Sequence, residues 1–207
     1  MTERSFIEHP FDIVLRDGVT GVLRPAGFRK SALSYHRRRG TCVQVINIQK
    51  SQGSTSTDKR FYINVGLAFD AICGLKNRPV LEKPKEYECD DRGTRDRLGQ
   101  LLPGVDEQWD IRSDDDPRPF VEQLGRDMTA LVAELNQIDG PASYRSHRWF
   151  DRYRPKAENA QILFLLGDLQ AARQEIEKLV VLFADRRNAP DFAWWVQQLG
   201  IDPNGIS

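Results

Sequence analysis

The sequence predicts an α+β fold in which helices cover one face of an antiparallel β-sheet. Residues 41–50 and 60–69 alternate apolar with polar side chains, and a short polar loop separates them. A period of two is typical of strands with one buried face. Residues 117–138 instead carry apolar side chains at steps of three and four, which is typical of an amphipathic helix. A strand pair followed by a long amphipathic helix predicts a layer of helices on a sheet.

The chain before the central strands predicts one helix and one strand. Residues 10–26 begin with Pro10, which suits the first helical position, and their apolar side chains fall on one face. Gly18 lies inside this segment and weakens the helix prediction. Residues 28–39 alternate loosely and predict a first strand, which ends at Gly40.

The chain after the central strands is less regular until the long helix. Residues 70–86 contain prolines and a glycine, and we expect an irregular segment. Strands are predicted near residues 94–101 and over residues 108–112. Gly140 and Pro141 then end the helix over residues 117–138.

The remaining residues predict a helical extension. Residues 155–166 and 169–187 carry apolar side chains at helical spacing on either side of Gly167, which predicts a helical hairpin with Asp168 as a candidate cap of its second helix. A last helix is expected after Pro190. The predicted organisation is therefore an α+β domain over residues 1–139 and a helical extension over residues 140–207.

Composition favours an ordinary globular protein of the cytoplasm. The 207 residues contain 30 Lys and Arg against 30 Asp and Glu, so the net formal charge is zero. This balance argues against a protein built wholly around nucleic acid or an anionic membrane. The three cysteines have no metal-binding or redox spacing, and we expect reduced thiols. The N-terminus does not resemble a signal peptide, and no apolar run is long enough to span a membrane.

Four short motifs resemble a known bacterial family. In chain order they are Gly-Phe-Arg-Lys from position 27, Asn-Ile-Gln-Lys-Ser from 47, Asn-Val-Gly from 64 and Arg-Leu-Gly from 97. Their types and order are similar to the family called domain of unknown function 4304, over about residues 10–138. The resemblance implies a first helix followed by strands that carry these motifs. It implies no activity, because the family has none established.

The central strand pair predicts a polar cluster on one face of the sheet. If Asn47 lies opposite Asn64, then Asn47, Gln49, Tyr62 and Asn64 share the face that points away from the helices, with Lys50 at its end. Amides on a rigid sheet can hold a small molecule or a peptide by directional hydrogen bonds. The simpler interpretation is that the amides satisfy one another and nearby backbone. Both interpretations stay open from the sequence.

Two segments are rich in basic residues. The first, over residues 24–39, contains no acidic residue, and the second, over residues 143–154, interleaves arginines with aromatic residues. This pattern is one that nucleic-acid or nucleotide recognition uses. The alternative is a solvated sheet edge for the first segment and an amphipathic connector for the second. The candidate patch residues are Arg29, Lys30, Arg37, Arg145, Arg148 and Arg152.

The sequence contains no recognisable catalytic or metal-binding motif. The three histidines lack motif spacing, and the acids at 114–116 precede a helix, where they would cap it. Cys89 lies near two arginines, but a structural thiol is the simpler interpretation. We expect no cofactor and no metal. The sequence favours a non-catalytic module that binds an unidentified protein or small molecule, with nucleic-acid or nucleotide binding as the alternative. An enzyme with an unrecognised site is the third hypothesis.

Overall fold

The computed structural model describes residues 8–151 and 157–182, and it shows a six-stranded antiparallel sheet with helices. This confirms the predicted α+β class. The strand order is β1-β2-β3-β4-β5, and β6 also pairs with β4. The strands are β1 (Arg29–Ser31), β2 (Ser34–Arg39), β3 (Cys42–Lys50), β4 (Asp58–Phe69), β5 (Gly93–Arg97) and β6 (Trp109–Arg112).

Strand β4 organises the sheet because it is long enough to pair with two strands along one edge. It has 12 residues. Residues 64–68 of β4 pair with β5, and residues 58–61 pair with β6. Its other edge pairs with β3, and Asn47 lies opposite Asn64, as predicted from the sequence. β5 and β6 therefore diverge beside Tyr62.

The helices lie before, between and after the strands. Their bounds are α1 (Pro10–Ile13), α2 (Gly21–Leu23), α3 (Asp70–Leu75), α4 (Leu98–Leu101), α5 (Pro117–Leu135), α6 (Pro141–Arg145), α7 (Ala157–Leu165) and α8 (Leu169–Leu182), with a π-helical segment Val14–Thr20 and a 3₁₀ helix Glu86–Asp91. Within the described residues, no helix is both long and apolar enough to cross a membrane.

The predicted first helix is confirmed, although its middle is π-helical. α1, the π-helical segment and α2 follow one another without a break. His9 caps the start, since its Nδ1 accepts a hydrogen bond from the Phe11 N–H at 3.1 Å. A Cβ on Gly18 would lie 3.1 Å from the Val121 carbonyl oxygen of α5. Gly18 therefore lets two helices approach closely, which explains a glycine inside a helix.

Three sequence predictions differ from the structure. The single strand predicted over residues 28–39 is wrong, because β1 and β2 form a hairpin that turns at Ala32. Ala32 has a φ of 53°, a conformation that alanine rarely adopts, so the residue type does not predict the turn. The segment predicted to be irregular begins with the short helix α3. The strand predicted near residues 94–101 is the strand β5 followed by the helix α4.

The main core lies between the sheet and the helices. The helix α5 buries Leu124, Met128, Leu131 and Leu135 completely, as its periodicity predicts. The facing strand residues alternate as expected, and they belong to the same apolar cluster: Cys42, Ile46, Ile48, Phe61, Ile63, Val65 and Leu67.

The described helices of the extension join that same core. Tyr144, Ile162 and Ala172 belong to the cluster that includes the sheet residues. α7 and α8 form the predicted hairpin, and the Asp168 carboxylate accepts a hydrogen bond from the Ala171 N–H at 3.1 Å. Asp168 is thus the predicted cap. The helix predicted after Pro190 lies outside the described residues.

One polar network crosses the main core. Gln44 is completely buried on the helix-facing side of β3. Its amide donates to the carbonyl oxygens of Leu135 at 2.7 Å and Ile138 at 2.8 Å, at the end of α5. Its oxygen accepts two hydrogen bonds from the Arg37 guanidinium, at 2.9 and 2.7 Å. Gln44 therefore ties the centre of the sheet to the C-terminal end of α5, whose last carbonyl groups lack helical partners.

Candidate functional site

The face of the sheet that points away from α5 is divided into a closed half and a polar half. The closed half is a small apolar cluster of Val43, Val45, Ala68 and Cys89. Cys89 comes from the 3₁₀ helix, which packs on β4. A Cβ on Gly66 would lie 2.7 Å from the Cys89 Sγ, so a side chain at this position would prevent the 3₁₀ helix from packing on β4 as closely as it does.

The polar half contains the predicted amide cluster. The Asn64 Nδ2 donates to the Gln49 Oε1 at 2.9 Å and lies 3.5 Å from the Asn47 Oδ1. The Asn47 Nδ2 in turn donates to the Ser34 hydroxyl at 2.9 Å. The amides therefore satisfy one another in part, as the simpler interpretation of the sequence expects. Asn64, which is buried, is the residue that holds the others in place.

Tyr62 holds an arginine from β5 beside this cluster. Arg97 lies opposite Asn64 in the sheet, and its guanidinium carbon lies 4.1 Å from the centre of the Tyr62 ring. The Tyr62 hydroxyl donates to the Gln108 Oε1 at 2.6 Å, which fixes the ring. Stacking orients a guanidinium without neutralising its charge.

Two amides of the cluster, Gln49 and Asn64, line a cavity of about 300 Å³ on the sheet surface together with Arg97. Gln49 and Gln100 at this cavity are exposed, and the side chain of Arg97 is half-buried. Its lining residues are Gln49, Asn64, Arg95, Asp96, Arg97 and Gln100. We call this set the polar-face cavity.

The two arginines of the polar-face cavity differ in their partners. Arg95 pairs with Asp90, with 2.9 Å between the closest charged atoms. Arg97 forms no ion pair with any residue that the structure describes. Its guanidinium stacks on the Tyr62 ring, and its backbone N–H donates to the Gln100 Oε1 at 3.2 Å. The Arg97 guanidinium is therefore positioned and still able to bind an anion, with the side-chain N–H groups of Gln49 and Gln100 at the same cavity.

The structure brings together four of the five predicted ligand-binding residues. Asn47, Gln49, Tyr62 and Asn64 lie side by side as predicted. Lys50 lies elsewhere, because alternation along β3 turns it to the helix side, where its Nζ is 5.1 Å from the centre of the Phe11 ring.

Sequence reasoning missed Arg95, Arg97 and Gln100. The alternation of Arg95 and Arg97 within a predicted strand was the signal that could have placed the two arginines on one face. Gln100 follows them in α4, whereas the sequence pattern predicts that the strand continues to residue 101.

The first basic segment divides between surface and interior. Arg29 and Lys30 are exposed on the edge strand β1. Arg37 is buried and donates to Gln44 and to the Ala26 carbonyl oxygen at 2.8 Å. Burial, helped by repulsion from Arg39, lowers the pKa of Arg37 to about 10. Arg37 is thus protonated at neutral pH and belongs to the core network.

The described part of the second basic segment binds other parts of the fold. Arg148 pairs with Glu134 of α5 at 2.6 Å, and this pairing lowers the pKa of Glu134. Arg145 lies 3.5 Å from Asp151 and stacks on the Phe150 ring. These contacts fit the interpretation as a structural connector. Arg152 lies outside the described residues.

The remaining candidates have structural surroundings. Asp116 caps α5, since its carboxylate accepts from the Arg118 N–H at 3.0 Å. No group of metal-ligating side chains forms in the described ranges. Cys89 is completely buried, and burial raises the pKa of its thiol, which is the opposite of activation.

Comparison with protein-family models gives one match. The model described as "Domain of unknown function (DUF4304)" matches residues 19–152. The match contains all four motifs noted in the sequence and extends through α6. Searches of curated proteins and of solved structures found no match.

Proposed function

This protein belongs to the DUF4304 family, and we propose that it is a non-catalytic binding module whose polar-face cavity holds a small ligand through a carboxylate group. The ligand is a free small acid or the carboxyl end of a peptide, since both present the same chemistry. The module acts in the cytoplasm, where its three buried cysteines stay as free thiols.

The observation that carries the proposal is the state of Arg97. Its guanidinium is oriented by Tyr62, which is itself held by Gln108. It forms no ion pair with a described residue, whereas neighbouring Arg95 is already paired. A guanidinium presents two parallel N–H groups that match a carboxylate, so a bound carboxylate would pair with a half-buried cation that has no ion pair within the described residues.

The amides around Arg97 supply selectivity. Gln49 and Gln100 each offer side-chain N–H donors at the cavity, since their oxygens already accept from Asn64 and from the Arg97 N–H, and both side chains are exposed. The Asn47–Asn64–Gln49 chain of hydrogen bonds holds Gln49 in a defined position. A ligand with an amide or hydroxyl near its carboxylate would therefore bind better than a simple acid.

The surroundings of the cavity support binding without chemistry. Apart from Asp96, the polar side chains of the cavity are amides and guanidinium groups, which bind and orient ligands but are weak nucleophiles and bases at neutral pH. The described histidines lie elsewhere: His9 caps α1, His36 contacts the Pro84 carbonyl oxygen and His147 packs on Trp149.

Calorimetric titration with matched ligand pairs tests the proposal. Small N-acetylated amino acids are compared with the same compounds as C-terminal amides, which lack the charge. We expect binding by acids only, and we expect Arg97→Gln to weaken it at least about tenfold, the scale of a lost charged hydrogen bond. Arg112→Gln, on the exposed surface of β6, is the matched control and should bind normally. Equal binding of acids and amides, or no effect of Arg97→Gln, would reject the proposed site.

A further inference from the structure

A second cleft lies at the other edge of the sheet, where the first helix meets β1. Its volume is about 650 Å³. Its lining residues are Thr20, Arg24, Gly27, Phe28, Arg29, Lys30 and Tyr35, so it includes three cations and no acidic residue. We call it the basic cleft, and we infer that it binds a small phosphate-bearing molecule.

The turn at Gly27 builds the basic cleft. Gly27 has a φ of +89°, a left-handed conformation that suits glycine, and the Phe28 N–H donates to the Leu23 carbonyl oxygen. This helix end reverses the chain, so that Arg24 at the end of α2 and Lys30 on β1 border the same cleft. Arg37 fixes the turn from below by its hydrogen bond to the Ala26 carbonyl oxygen.

The cations of the basic cleft lack the partners that other basic residues have. Arg24, Arg29 and Lys30 are exposed, and none forms an ion pair with a residue within 8–151 or 157–182. Many arginines elsewhere are paired with acids, namely Arg16, Arg38, Arg60, Arg95, Arg118, Arg145, Arg148 and Arg173. In a chain of zero net charge, a cleft with three such cations is a local positive field that favours an anion.

The wall beside the cations is a fixed polar surface. The Thr20 hydroxyl donates to the Leu15 carbonyl oxygen at 2.8 Å, and the Tyr35 hydroxyl, 2.7 Å from the Thr20 oxygen, therefore donates to Thr20. The donors available to a ligand are thus the three cations. The Lys30 Nζ lies 5.8 Å from the centre of the Tyr35 ring, which keeps this ammonium over the same wall. A phosphate offers three acceptor oxygens and up to two charges, and so it can bind two or more of Arg24, Arg29 and Lys30 together.

The size and position of the cleft favour a compact ligand over a nucleic-acid strand. A volume of about 650 Å³ is within the range of small-molecule sites. Strand binding needs a longer basic track with exposed aromatic rings. Phe28 and Tyr35 are buried, and in the second basic segment Arg145 and Arg148 pair with acids.

Titration with defined phosphates tests the inference. The probes are inorganic triphosphate, ATP and an oligonucleotide of about ten thymidines. Arg24→Gln/Lys30→Gln removes two exposed cations of the cleft. Arg126→Gln/Lys178→Gln removes the same residue types from exposed positions on α5 and α8, so the net charge changes equally.

We expect triphosphate and ATP to bind the wild type and the control, and to bind the cleft variant at least about tenfold more weakly. Affinity should fall as salt rises from about 50 to 200 mM. Both variants should unfold at the wild-type temperature, since all four positions are exposed. No binding at low salt, equal weakening by both variants, or binding of the oligonucleotide alone would overturn the inference.

Discussion

The buried pair of Arg37 and Gln44 predicts a large loss of stability on substitution of one residue. Gln44→Leu removes two hydrogen bonds to the Leu135 and Ile138 carbonyl oxygens and two from Arg37. The Leu135 carbonyl keeps a hydrogen bond from the Ile138 N–H, but the Ile138 carbonyl left without a partner costs about 1–3 kcal/mol. A buried charge that loses two of its hydrogen bonds, as Arg37 does, costs more. The apolar gain of leucine offsets about 1–2 kcal/mol. We expect a net loss of about 3–5 kcal/mol.

Urea unfolding followed by tryptophan fluorescence measures this loss at pH 7, where Arg37 is protonated because its pKa is about 10. Gln49→Leu on the exposed face of the same strand is the control, and its expected loss is about 1 kcal/mol or less. The double variant Arg37→Leu/Gln44→Leu should lose less than the sum of the single losses, because it leaves no buried guanidinium that has lost its Gln44 acceptor. A loss below about 1 kcal/mol for Gln44→Leu would refute this account of the core.

Three further predictions concern other contacts. Gly66→Ala should destabilise the fold by about 1–3 kcal/mol, because the new methyl group would collide with Cys89. Adding Cys89→Ala should recover part of this loss, and losses that simply add in the double variant would contradict the collision. Cys42 and Cys89 should resist iodoacetamide in the native protein at about pH 8, because burial raises the pKa of both thiols. Mass spectrometry measures the labelling, and rapid labelling of Cys89 would contradict this prediction. Glu134→Gln should lose about 1 kcal/mol at pH 7. Arg148 holds the pKa of Glu134 below its ordinary 4.5, so this stabilisation is present above pH 4.5 and is lost as pH falls below it. The difference in free energy of unfolding between the wild type and Glu134→Gln, measured with urea, should therefore shrink at low pH. A difference that stays constant across pH would exclude the ion pair as its source.

Periodicity predicted most of the fold because it reports directly on burial. The register of Asn47 with Asn64 followed from matching two alternating strands, and the buried face of α5 followed from its spacing. The turn at Ala32 could not be predicted, because an alanine with positive φ is held by its surroundings and has no residue-type signal. The same holds for Gly18, because its role is to let the first helix approach Val121 of α5, which is distant in the sequence.

The sequence predicted the part of the candidate site that lies on β3 and β4 but not the part contributed by β5. Asn47, Gln49, Tyr62 and Asn64 lie on two strands whose pairing the pattern reveals. Arg97 reaches the same place through β5, which is separated from β4 by more than 20 residues of chain and an intervening 3₁₀ helix. The pairing of arginines with acids is a property of the assembled fold, so the sequence alone did not distinguish Arg24 and Lys30, which border the basic cleft, from Arg148, which pairs with Glu134.

The most direct test of the polar-face cavity as a binding site is the NMR spectrum of its side-chain amides. Isotope-labelled protein is titrated with an N-acetylated amino acid that binds in calorimetry, and the Asn and Gln side-chain resonances are followed. The account predicts saturable shifts at Gln49, Asn64 and Gln100, with Gln44 in the core unchanged. Shifts elsewhere with these three unaffected would contradict it.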